Sequence, residues 1–193
     1  PGRVALNEKV VLESNDVERT LRRIAHEIVE KNPDMAEIAL VGIQTRGTVV
    51  AARLHGLLAE LTGVEVPIGE IDISFYRDDL KARINNELRD RQPVVHASRI
   101  DFPLEDRTIV LVDDVLFTGR TVRAGIDALF DYGRPARIQL AVLCDRVHRE
   151  LPIRPDYIGK NLPTSRGERV SVHLSETDGE DGVSILSAVE AVE

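Results

Sequence analysis

Apolar positions along the 193-residue chain switch between a helical and a strand-like period. Val17, Leu21, Ile24, Ala25 and Ile28 recur at three- and four-residue spacing behind Ser14, Asn15 and Asp16. This predicts a helix over 16–31, with a polar cap at its start and Asn32-Pro33 at its end. The continuous apolar run 38–43 has strand length and no polar face, as in a strand covered on both sides. A polar turn, Gln44-Thr45-Arg46-Gly47, then leads into a helix over 48–61. Residues 69–76 alternate, with Ile71, Ile73 and Phe75 on one face. After a charge-dense stretch the rhythm resumes with a buried-type strand at 108–112, a helix at 121–132 and a strand at 138–144. Gly133-Arg134-Pro135 closes that helix. Short strand-like pieces follow at 170–174 and 183–186. Strands alternating with helices across short loops predict an α/β fold with a mostly parallel sheet flanked by helices.

Composition narrows the class. With 42% hydrophobic and 30% charged residues, and no linker-like stretch, the chain reads as one domain over 1–193. No stretch is long and apolar enough to cross a bilayer, and the first residues lack the pattern of a signal peptide. The single cysteine, Cys144, excludes an internal disulfide framework, lies in an apolar run and suits a cytoplasmic setting. Five scattered histidines offer no zinc-ligand spacing. A net charge of -8 opposes nucleic acid and anionic membranes overall, so any RNA contact needs a local basic patch.

One such patch is present. Arg19, Arg22, Arg23 and His26 stand at i, i+3, i+4 and i+7, opposite the apolar stripe of the first helix. The same four residues also suit an ordinary solvated face paired with Glu18, Glu27 or Glu30.

The densest chemical signal is the run 109–121. An apolar strand delivers Asp113 and Asp114, and Thr118-Gly119-Arg120-Thr121 then opens a helix. In a parallel sheet, ligands sit beyond the carboxyl ends of the strands. Adjacent carboxylates accept hydrogen bonds from a vicinal diol, such as the hydroxyls of a ribose. Backbone N–H groups at a helix start, with a glycine that lets the chain curl, favour a phosphate. The acidic pair alone is also met where a strand simply ends. Receiver domains carry such a pair too, but on their first strand and without the Thr-Gly-Arg-Thr turn.

Taken whole, this run resembles the signature with which type I phosphoribosyltransferases bind 5-phosphoribosyl pyrophosphate (PRPP). The resemblance extends over about 19–174 and is weaker between 81 and 104. Residues 42–47 resemble the family's pyrophosphate-binding turn, 72–80 the start of its mobile catalytic loop, and 145–154 with 155–161 its base-binding hood. With Pro163-Thr164-Ser165-Arg166, these pieces resemble the PyrR subgroup, uracil phosphoribosyltransferases that also regulate pyrimidine genes. The resemblance implies a mobile loop over about 77–106 and a small hood formed mainly by 145–174 and the C-terminal strands. It implies Mg²⁺ carried on the substrate, with Asp113 and Asp114 as candidate contacts.

By the same resemblance, Thr45, Arg46 and Gly47 hold the diphosphate, while Thr118, Gly119, Arg120 and Thr121 hold the 5-phosphate. Asp113, Asp114 and the loop residue Arg77 carry the catalytic work. Tyr157 stacks on uracil, Ile158 bonds it through its backbone, and Arg146 reaches the substrate. Arg149, Arg154 and Lys160 join Arg19, Arg22, Arg23 and His26 on a surface for a pyrimidine-operon mRNA leader. The implied ligands are PRPP, uracil and UMP, and the implied assembly is a homodimer or higher homo-oligomer. Two departures stand out: Phe117 where tyrosine is usual, and Val147 where glycine is usual. Purine enzymes of this class place a carboxylate at the position of Phe117, so its absence favours a pyrimidine. The alternatives are transfer to another base, such as hypoxanthine or guanine, without RNA regulation, and an RNA regulator with weak catalysis.

Overall fold

The computed structural model describes residues 6–74 and 98–188. Among these residues, eight strands and four α-helices follow the order β1 (Leu6–Leu12), α1 (Ser14–Lys31), β2 (Ile38–Ile43), α2 (Arg46–Thr62), β3 (Ile68–Ile71), β4 (Thr108–Leu116), α3 (Arg120–Phe130), β5 (Arg137–Asp145), β6 (Tyr157–Asn161), β7 (Arg169–His173), α4 (Ser175–Asp178) and β8 (Gly182–Ala188), with a short 3-10 helix at Met35–Glu37 before β2. Five strands form a wholly parallel sheet in the order β3-β2-β4-β5-β6. The other three form an antiparallel sheet, β1-β8-β7, built from both ends of the described chain.

The parallel strands are apolar on both faces because helices cover both. β2 is buried along its whole length. On one face, α1 and α2 pack Val17, Leu21, Ile24 and Leu54 against Leu40, Val110 and Leu143. On the other, α3 packs Val122, Ala124 and Leu129 against Val41, Leu111 and Val142. The five buried residues of α1 are the five of its predicted stripe. Burying each of the larger ones contributes roughly 1.5–3 kcal/mol. Burial pushes the Cys144 thiol up to about 12, so it stays protonated and belongs to the core.

The boundaries moved in informative places. The expected strand at 69–76 starts a residue early and ends at Ile71, while Asp72 turns back to accept the Ser74 amide (2.8 Å). β4 runs on from Val112 through both aspartates to Leu116, pairing Asp113 with Val142 and Leu116 with Asp145. The acidic pair thus sits within the last strand pairs rather than beyond them. Two strands escaped the periodicity. β1, at the edge of the small sheet, runs three polar residues (Asn7 to Lys9) into three apolar ones (Val10 to Leu12) without alternating, and β6 is five residues long, with mixed polarity. β6 closes the edge of the main sheet, so residues 157–161 belong there rather than in a separate hood.

Candidate active site

Three turns converge at the carboxyl ends of β2, β4 and β5. The first, 44–47, links β2 to α2 and contains a cis peptide bond between Gln44 and Thr45. It presses hard on β4. A Cβ on Gly47 would stand 2.6 Å from the Val112 carbonyl oxygen and 3.4 Å from Asp113 Oδ1. A Cβ on Gly42 would stand 2.5 Å from the Thr48 Cα. Only glycine lets this turn lie against the strand that carries the acids. Asp113 is buried and accepts the Asp114 amide at 2.9 Å, while Asp114, half exposed, accepts that of Val115 at 2.9 Å.

The second turn, 117–121, follows β4. Gly119 takes a left-handed φ of 93° and caps α3. Thr118 Oγ accepts the Arg120 amide (3.3 Å), and the Thr118 carbonyl accepts the amides of Glu150 and Leu151 (3.0 and 3.1 Å). A cleft of about 250 Å³, lined by residues 115–122, opens here. Two adjacent carboxylates therefore stand between a glycine turn pressed onto β4 and an amide-bearing helix start. That arrangement suits a sugar with anionic groups at two ends.

The third turn, 145–153, follows β5 and clasps the second. Arg149 donates to Asp145 (2.6 Å), to the Phe117 carbonyl (2.9 Å) and to the Ile153 carbonyl (2.9 Å). Arg120 pairs with Glu150 at 2.6 Å. Arg146 is buried and donates to Thr164 Oγ (2.9 Å) and to the carbonyls of Ser165 (3.3 Å) and Glu168 (2.7 Å). His148 contacts the Thr164 carbonyl through Nε2 and meets the Phe117 ring edge-on at 5.8 Å. Arg46 forms a two-pronged pair with Asp178 of α4, through Nε at 3.2 Å and Nη2 at 2.7 Å. The guanidinium holds the Asp178 carboxyl well below the usual carboxylate range.

Of the expected site residues, Thr45, Arg46, Gly47, Asp113, Asp114 and Thr118 to Thr121 come together here. Arg77 and the loop residues 77–97 lie outside the described residues. Tyr157 requires correction. It is wholly buried, and its hydroxyl accepts from Asn32 (2.9 Å) and donates to Gln139 (2.9 Å), so its ring is not available for stacking on a base. Burial pushes its phenol pKa up. Period-two alternation in β6 turns Tyr157 onto the face covered by α1. Ile158 is corrected in part, because its carbonyl accepts from Arg23 of α1 at 3.2 Å. Arg149 is corrected too. Its three bonds point inward, which removes it from the basic surface. Arg146 serves to tie the 163–168 turn down. His148 and Asp178 had not been singled out as site residues, since only their distant partners give them a place, and Phe117 had been weighed only as a departure from the family pattern that bears on the choice of base.

These turns on a parallel sheet define a type I phosphoribosyltransferase. The phosphoribosyl transferase domain family matches residues 9–176. Crystal structures share the architecture. Hypoxanthine phosphoribosyltransferase of Trypanosoma cruzi superposes with a TM-score of 0.68 at 19% identity, covering 94% of this chain and 97% of that one. The Leishmania tarentolae HGPRT-ase in complex with GMP gives 0.64 at 18% identity, covering 95% and 98%.

Sequence relatives are more specific. The chain is 55% identical over 182 residues to the bifunctional protein PyrR of Roseiflexus sp. (strain RS-1), covering 94% of this chain and 96% of that protein. It is 52% identical to the bifunctional protein PyrR of Listeria monocytogenes serotype 4b (strain CLIP80459), covering 92% and 96%. The chain belongs to the phosphoribosyltransferase family and, within it, to the PyrR proteins.

Proposed function

We propose that this protein transfers phosphoribose from PRPP to uracil, giving UMP and diphosphate, and that it regulates pyrimidine biosynthetic genes by binding their mRNA leader when UMP is bound. The observation that carries the first half is the convergence of Asp113 and Asp114 with the 45–47 and 118–121 turns. The carboxylates accept the ribose hydroxyls, the α3 start cups the 5-phosphate, and the β2–α2 turn, with Arg46, takes the diphosphate.

In the reaction the bond from the anomeric carbon to the diphosphate oxygen breaks, and one from uracil N1 to that carbon forms. The N1 proton leaves to solvent. Because the leaving group carries the charge, stabilising it matters more than activating the base. Mg²⁺ enters as part of the PRPP substrate. Among the described residues no three His, Cys, Asp or Glu side chains gather to hold a metal, and the adjacent pair Asp113 and Asp114 suits hydroxyls. The base is received at the rim formed by Phe117 and the 145–148 turn. That rim has no carboxylate at position 117 to accept a proton from a purine ring.

The regulatory half is supported by one exposed surface. Arg19, Arg23 and His26 of α1 lie on the same side as Lys160 of β6, and Arg23 donates to the carbonyls of Ile158 and Gly159 and so joins the two elements. Arg22 lies at its edge, bonded to Glu60 at 3.0 Å. Arg154 is exposed as well. Arg19 pairs with Asp16 at 2.5 Å and Arg23 with Glu27 at 2.6 Å, but exposed ion pairs of this kind are worth little and yield to phosphates. No helix among the described residues is long and apolar enough to cross a membrane.

Radiolabelled uracil, hypoxanthine and guanine, each with PRPP and Mg²⁺, test the enzyme. Label should enter only UMP, and the Asp113→Asn/Asp114→Asn variant should lose that activity by a factor of about 100 or more. Transfer to a purine instead would sink the uracil assignment. RNA binding with and without UMP tests the regulator, where equal affinities would refute the coupling.

A further inference from the structure

The Arg46–Asp178 pair joins two segments 132 residues apart, one in the diphosphate turn and the other in the short helix between β7 and β8. Asp178 engages only one edge of the guanidinium, Nε and Nη2. Among the described residues no other partner takes the opposite edge, which carries Nη1. The Asp178 carboxylate is itself held, with Oδ2 accepting the Leu174 amide (2.9 Å) and the Thr177 hydroxyl (2.8 Å). Its segment is anchored independently of Arg46. Arg53, about two turns further along the same face of α2, binds Glu176 (2.5 Å) and Asp181 (2.7 Å). Arg46 directly precedes Gly47, which is pressed against Asp113, so the pair sits in the turn that borders the ribose acids.

We infer that Asp178 is a positioning residue for diphosphate recognition, fixing the Arg46 guanidinium so that its remaining N–H edge meets the departing anion. The inference rests on the reading of residues 45–47 as the diphosphate turn. An arginine that must be ordered on binding forfeits on the order of tenfold in affinity, and a rigid carboxylate partner removes that cost in advance. A two-pronged grip fixes the guanidinium plane as well as its position, which lysine could not reproduce. The opposing effect is electrostatic, since the Asp178 charge repels a diphosphate. The two effects predict opposite signs for its removal.

Calorimetric titration of inorganic diphosphate with Mg²⁺, and of UMP, into the whole protein separates them. Asp178→Ala should weaken diphosphate about tenfold and leave UMP within twofold. Arg46→Ala should weaken diphosphate at least as much, and the double variant no more than Arg46→Ala alone. Glu176→Gln, which loosens the same segment through Arg53, should lower the melting temperature without moving diphosphate affinity.

Unchanged or tighter diphosphate binding by Asp178→Ala overturns the inference. So does a loss that persists in the Arg46→Ala background, or an equal loss in Glu176→Gln. If Asp178→Ala fails to fold, Asp178→Asn keeps an oxygen for the Leu174 amide and removes the ion pair, and the same directions apply. A wild type that binds UMP but not diphosphate refutes the turn's assignment, and the role of Asp178 with it.

Discussion

The guanidinium carbon of Arg146 sits 3.9 Å from the centroid of the Phe117 ring. Phe117 opens the phosphate turn and Arg146 begins the turn after β5, so this stack couples the two walls of the cleft. The rest of the guanidinium is spent on Thr164 and two carbonyls, deep enough that burial lowers its pKa. A buried arginine with this many acceptors cannot be shortened without leaving them unpaired. Arg146→Ala should destabilise the fold by about 2–4 kcal/mol, and Arg146→Lys should recover little of it. Urea unfolding checks this, and a shift under about 0.5 kcal/mol for the alanine variant would contradict the reading.

Immediately after that arginine, Val147 holds φ at 67°, a conformation that a β-branched residue rarely adopts. Its side chain is 57% exposed, so little burial compensates. Asp145 Oδ1 accepts its amide at 2.8 Å, which pins the turn whatever the side chain. Val147→Gly removes strain of about 1–2 kcal/mol and adds a glycine's chain entropy of about 0.5–1 kcal/mol. A net gain of roughly 0.5–1 kcal/mol is expected, visible as a higher melting temperature with activity retained. A lower melting temperature would show that the turn is not strained.

These two neighbours illustrate what a linear chain discloses. The parallel core was legible because helix-covered strands must be apolar on both faces, and Ile38–Ile43 is so throughout. The residues proposed for ribose and phosphate stood out because acids, glycine and threonine within nine positions carry their geometry locally. Tyr157 was misread because its orientation depends on Asn32 and Gln139, 125 and 18 positions away. Arg149 was misread for a related reason. A basic residue in a loop looks solvated until the carbonyls of Phe117 and Ile153 close around it.

Stability should fall with acid through the α2 clamp. Hydrogen bonds from Arg53 hold the Glu176 and Asp181 carboxyls below their ordinary values, and Arg46 does the same for Asp178. A carboxylate lowered in the folded state contributes stability that is present above its unfolded pKa. That contribution drains away as pH falls through the folded value. The loss therefore begins below about pH 5 and steepens towards about pH 3. Glu176→Gln/Asp181→Asn should be less stable than wild type at neutral pH and should show a flatter decline across that window. Parallel pH profiles of the urea midpoint would remove the clamp from the acid response.

Two glycines of α2 should respond to alanine in opposite senses. At Gly56 nothing lies within 4 Å of the added methyl, and the helix is otherwise regular, so Gly56→Ala should stabilise by about 0.5–1 kcal/mol. At Gly47 the methyl would stand 2.6 Å from the Val112 carbonyl oxygen and 3.2 Å from the Asp113 Cα. Both are backbone atoms of a central strand, so no rotamer change relieves the clash and the turn itself must lift away. Overpacking of this kind costs about 1–3 kcal/mol. The displaced atoms are those proposed to hold the diphosphate beside the ribose acids, so PRPP affinity should fall by at least tenfold while UMP affinity falls less. Melting curves and titrations of both variants decide the matter. A Gly47→Ala protein that binds PRPP like the wild type would mean that the contact between the turn and β4 is not what shapes the site.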